Sequence, residues 1–207
     1  MPLPPARVLL PATLSVGYPL LSHLATSLGS PGLQWLALMA IVGVPLSGGL
    51  LRGSALAWAW LGGLALLLWL LVHSGGGQYG LFLPPLVLPG AMAAGFGLSL
   101  RAGRTPLITL VAETRGPLPP YLRSYTRRLT WFWTGFTASL ALVALLLCLS
   151  GQLQLWSWFA NVFSYVLIGL VLVVEYLLRR HWFPAYAHPG FVAYLRMIVR
   201  GPPRASR

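Results

Sequence analysis

The chain has 207 residues, of which 57% are hydrophobic and only 8% charged, and its mean hydropathy is +0.76. A water-soluble domain of this length needs far more charge to cover its surface, so composition places the chain in a bilayer. The 14 arginines face only Glu113 and Glu175, with no Lys or Asp, for a net charge of +12. In a soluble protein that balance would suggest nucleic acid. Here the arginines cluster at the ends of apolar runs, which points to lipid headgroups and not to nucleic acid.

Crossing a bilayer takes about 20 predominantly apolar residues in a helix. Six stretches satisfy this: 8–28, 33–51, 54–72, 79–100, 129–149 and 156–178. Arg7 precedes the first, whose apolar run reaches Leu28 with a poor small-residue exit. It is therefore expected to stay as a span and not to be removed as a signal peptide. It carries Tyr18-Pro19 and His23. A lone intramembrane His is read either as a proton relay or ligand, or as a packed, hydrogen-bonded side chain. The second and third spans are joined by little more than Arg52-Gly53, which predicts a tight antiparallel hairpin.

The fourth span carries Pro84, Pro85 and Pro89, expected to break its outer half. In its inner half Ala91, Gly95 and Ser99 recur every four residues, a small-residue stripe suited to close helix approach. The long polar interruption 101–128 follows and holds Arg101, Arg104, Arg115, Arg123, Arg127 and Arg128. Thr105-Pro106 reads as an N-cap followed by Pro at the first helical position, with Gly116 as the stop. Between them Leu107, Ile108, Leu110 and Val111 form an apolar face suited to the membrane surface. Pro120 is expected to open a helix that continues into the fifth span, with Arg123 and Arg127 one turn apart, and likewise Tyr121 and Tyr125. Trp131 and Trp133 then read as interfacial anchors.

The sixth span opens with an aromatic belt of Trp156, Trp158 and Phe159, followed by Asn161 and Tyr165 on one face. Asn161 reads as interhelical glue. Glu175 is the one acid in any span, with Arg179 and Arg180 following. A membrane carboxylate is a functional candidate, but the Glu-before-Arg spacing of four favours an ordinary ion pair. The tail 179–207 reads as a short amphipathic surface helix, with Phe191, Leu195 and Ile198 on one side and Arg196 and Arg200 on another.

Connections 29–32, 73–78 and 150–155 contain no Arg, Lys, Asp or Glu, whereas the alternate side receives all 14 arginines. By the positive-inside rule that side is cytoplasmic, with both termini inside. The expected fold is thus an all-α, polytopic integral membrane protein of six transmembrane helices forming a single membrane domain. Amphipathic cytoplasmic helices are expected in its central loop and C-terminal tail.

Chemistry is harder to find. Two carboxylates cannot assemble the acidic metal site of a prenyl or phosphatidyl transferase. No phosphate loop ending in Lys-Ser/Thr is present, no His cluster has metal spacing, and the single Cys148 excludes a disulfide within one chain. No metal or cofactor is expected, and autonomous catalysis is disfavoured.

Certain motifs carry a resemblance. They are Tyr18-Pro19, Pro84-Pro85, GRTPLIT (103–109), YTRRLTWFW (125–133), WSWFANVFSY (156–165), EYLLRRHWFP (175–184) and HPGFVAYLR (188–196). Together they resemble a family of small bacterial inner-membrane proteins associated with gene clusters for aryl-polyene and xanthomonadin-type pigment lipids. The resemblance implies a context and supplies no active residues.

The function expected is a non-catalytic accessory subunit for biosynthesis or export of such pigment lipids in the bacterial inner membrane. Its arginines, Arg101, Arg104, Arg123, Arg127, Arg128, Arg179 and Arg180, would meet membrane phospholipids or an acidic partner such as an acyl carrier protein. Competing readings are a small transporter or lipid flippase, and a membrane enzyme acting on an acyl or polyprenyl lipid. The last would need His23, Glu175 or His188 to converge with other polar groups. The polar intramembrane candidates are His23, Asn161 and Glu175. The sequence sets no oligomeric state.

Overall fold

The computed structural model describes residues 6–114 and 116–183. They are helical, with no strand among them: α1 (Ala6–Leu28), α2 (Pro31–Leu50), α3 (Ala55–His73), α4 (Gly77–Ser99), α5 (Leu107–Glu113), α6 (Pro120–Leu149), α7 (Leu153–Trp158), a π-helical turn (Phe159–Phe163) and α8 (Ser164–Trp182). Six helices are long and apolar enough to cross a membrane, the sixth running over Leu153–Trp182. The chain is a multi-pass membrane protein. The amphipathic tail helix anticipated around Phe191–Arg200, together with Arg115 and His188, lies outside the described residues.

Two compact units form, Met1–Pro89 with Leu140–Ser164, and Gly90–Ser139 with Tyr165–Arg207. In the first, α1 packs on α2, α2 on α3, and α1 also on α7 and the π turn. Its core gathers Tyr18, Leu38, Leu81, Phe82 and Trp156. Ser54 caps α3 by accepting from the Ala57 N–H, and Gly53 turns the chain at φ +69° in the short α2–α3 hairpin expected from Arg52-Gly53. The hairpin closes tightly: a Cβ on Gly49 would lie 2.7 Å from the Ala57 Cβ. Much of α3, including Leu66, Leu67, Trp69 and Leu70, stays exposed, an apolar surface that a bilayer solvates at no cost.

Helix α4 corrects two expectations. It runs unbroken through Pro84, Pro85 and Pro89. The reason lies in the first unit, where the Tyr18 hydroxyl donates to the Leu81 carbonyl at 3.1 Å. Pro85 and Pro84 remove both the i+4 and the i+3 donor for that carbonyl, so a side chain takes their place. The small-residue stripe is also displaced. Ala91 and Gly95 are exposed and a Cβ on Gly95 would have nothing within 4 Å, while one on Gly97 would meet the Thr134 Cγ2 at 3.3 Å. Close approach falls on Gly97, two residues on and so on the opposite face of the helix.

In the second unit, the buried face of α6 includes Leu122, Thr126, Thr130, Trp133 and Thr137. The threonines are tolerated there because their hydroxyls bond back to their own helix: Thr130 to Thr126 O at 2.8 Å and Thr137 to Trp133 O at 2.7 Å. Trp133 is therefore a core residue against Phe96 and Phe136, not an outward anchor, whereas Trp131 is exposed.

Helix α5 forms where the apolar segment suggested, with Leu107, Leu110 and Val111 outward. Its cap differs. Pro106 occupies the cap position without a side-chain bond, and the Leu107 N–H is taken by the Ser99 Oγ at 2.9 Å. Proline offers no side-chain acceptor, so the end of α4 supplies one. Thr109 and Thr126 hydroxyls meet at 2.7 Å, and Arg123 reaches Glu113 at 2.6 Å, fixing α5 to α6.

Candidate functional site

The second unit holds an open groove of about 900 Å³ between α6 and α8. On α6 its wall is Tyr121, Ser124, Tyr125, Arg128, Leu129 and Phe132, the 3–4 spacing of one helical face. On α8 it is Leu170, Val171, Val174, Glu175, Leu178 and Trp182, with Phe183 at the end. The two helices run in opposite directions along it. Tyr121 stacks on Phe183 (5.7 Å between ring centres) and Tyr125 meets Trp182 edge-on at 6.2 Å, so the aliphatic residues lie together at the other end.

Glu175 sits in this wall at 5% exposure. Its Oε2 accepts from Arg179 at 3.4 Å, the i, i+4 pair that its spacing anticipated, and its Oε1 accepts from the Tyr125 hydroxyl at 3.2 Å. A buried carboxylate is stable only when paired and hydrogen-bonded, and this one is both. Sequence spacing could not reveal Tyr125 as a partner, because 50 positions separate it from Glu175.

The arginines divide into groups. Arg123 is engaged with Glu113 and Arg179 with Glu175, so these two of the expected lipid- or partner-binding arginines serve internal pairs. Arg101 and Arg104 are exposed in the α4–α5 connection, Arg127 and Arg128 are exposed on α6, and Arg180 is exposed near the end of α8. Of these, Arg128 lines the groove.

The first unit contains a separate polar cluster. His23 on α1 meets the Ser157 Oγ on α7 at 2.9 Å through Nδ1, and its ring lies edge-on to Trp158 at 4.6 Å. Asn161 Nδ2 donates to the same Ser157 Oγ at 3.3 Å. Asn161 thus bonds along its own helix, a correction to the interhelical role, and the Ser157 that it bonds is also the partner of His23 on α1. Ser164 explains the local geometry. Its N–H and its hydroxyl, at 2.8 Å, both turn to the Phe159 carbonyl five residues back, which opens the π turn. Asn161 is buried and Tyr165 exposed, so the shared face expected for them is not found. Trp156 is fully buried against Phe82 (4.6 Å), so it belongs to the core and not to a belt.

Among the described residues no three His, Cys, Asp or Glu side chains come together as a metal site would require. No protein-family model, curated protein or solved structure matches the chain.

Proposed function

We propose that this chain is a non-catalytic, multi-pass inner-membrane protein that supports the making or export of aryl-polyene-type pigment lipids. Its basic face, cytoplasmic by the positive-inside rule, holds anionic phospholipid and an acidic partner such as an acyl carrier protein. One observation carries this reading. The chain has only two acidic side chains, and both are already engaged, Glu113 with Arg123 and Glu175 with Arg179. The remaining charge, +12 in all, has to find its counter-ions outside the chain. The exposed guanidiniums of Arg101, Arg104 and Arg127 offer paired donors to phosphate or carboxylate. The pigment context rests on the sequence resemblance.

The test is the triple change Arg101→Gln, Arg104→Gln, Arg127→Gln in a pigment-producing host. Insertion at normal levels with lost copurification of an acidic partner and reduced pigment is the expected result. Unchanged pigment at normal insertion would overturn the accessory role, leaving these arginines as topology signals alone.

A further inference from the structure

The groove of the second unit has a gradient along its length. At one end stand Tyr121, Ser124, Tyr125 and Trp182, the aromatic and hydroxyl groups that favour a membrane interface. At the other, Leu129, Phe132, Leu170 and Val171 form an aliphatic slot. Eleven residues of helix separate Tyr121 from Phe132, a rise of about 16 Å, and the volume of about 900 Å³ suits one elongated ligand of drug size or larger. Where the two ends meet lies Arg128, exposed and facing the groove. The carboxylate in the same wall, Glu175, is already held by Arg179 and Tyr125, so the groove presents a cationic junction above an apolar slot.

We infer that this groove is a binding site for a single anionic glycerophospholipid. One acyl chain lies along Leu129, Phe132, Leu170 and Val174, and the phosphate is bonded by Arg128. Charge complementarity selects this occupant. A purely apolar ligand would leave the guanidinium without an anion, and a soluble phosphate would leave the aliphatic slot uncovered. The Tyr121 and Ser124 hydroxyls add neutral donors beside the headgroup. This site deepens the reading of a lipid-holding basic face and names the class of ligand it takes.

The full-length protein, purified in mild detergent, is titrated with phosphatidylglycerol and separately with phosphatidylcholine of the same acyl chains, and native mass spectrometry counts the lipids retained. The wild type should retain one phosphatidylglycerol about tenfold more tightly than phosphatidylcholine, as one charge-assisted bond predicts. Arg128→Gln should erase that preference while phosphatidylcholine retention stays, and Arg52→Gln, removing an equal charge on the exposed α2–α3 turn, should keep it. Val174→Trp, or Leu170→Trp if the first does not insert, should fill the slot and lower retention of both lipids.

Equal retention by the tryptophan variants and wild type overturns the site. So does a shift from dimer to monomer in those variants with lipid unchanged, which would mean that a second copy covers the groove. The assay contains no pigment machinery. Lipid binding without a pigment phenotype would therefore remove the accessory role and leave the site, and the converse would remove only the site.

Discussion

The Tyr18 hydroxyl bonds the Leu81 carbonyl, the one acceptor in α4 that loses both of its possible helical donors to consecutive prolines. A buried carbonyl left bare in an apolar interior costs on the order of 1–3 kcal/mol. Tyr18→Phe should lower thermal stability in detergent by about that amount. In a Pro85→Ala background, where residue 85 regains an N–H for Leu81, the same change should cost much less. Equal losses in both backgrounds would show that Tyr18 acts through packing alone.

Ser157 is fully buried and serves two partners, His23 and Asn161. Ser157→Ala is expected to destabilise more than Asn161→Ala, by about 1 kcal/mol, because it strands two polar groups where the other strands one. Denaturation of the two variants side by side decides it. If Asn161→Ala is the worse change, the second Asn161 group carries the cluster and Ser157 is not its hub.

For Glu175, the structure adds the Tyr125 hydroxyl to the expected Arg179 pair. Glu175→Gln keeps an acceptor for Tyr125 and loses the charge, so a stability loss of about 1–3 kcal/mol with normal insertion is expected. Pigment output should remain near normal. Loss of output at normal protein levels would replace the passive role by proton coupling or catalysis, since no other acid lies in a membrane-spanning helix apart from this one.

Topology has its own check. Reporter fusions after Arg52 and Arg104 should report the cytoplasm, and fusions near Ser30, Gly76 and Gln152 the periplasm. A cytoplasmic signal from Gly76 would invert the assignment of the central arginines.

By itself the sequence determined the six spans, the α2–α3 hairpin, the long helix opening at Pro120 and the Glu175–Arg179 pair. All of these depend on local composition or on spacing within one helix turn, and such information is written contiguously in the chain. Only the tertiary structure decided which faces turn inward. In water a helix declares its buried side through an apolar stripe, but in a bilayer the lipid-facing side is equally apolar. Hydropathy therefore could not separate buried Trp156 and Trp133 from exposed Trp58 and Trp131. Nor could it show that Gly97, rather than Gly95, meets another helix. The polar contacts that fix the interior join residues 63 positions apart for Tyr18 and Leu81, and 134 apart for His23 and Ser157. No local rule reaches that far, because such pairs exist only after packing has brought their helices together.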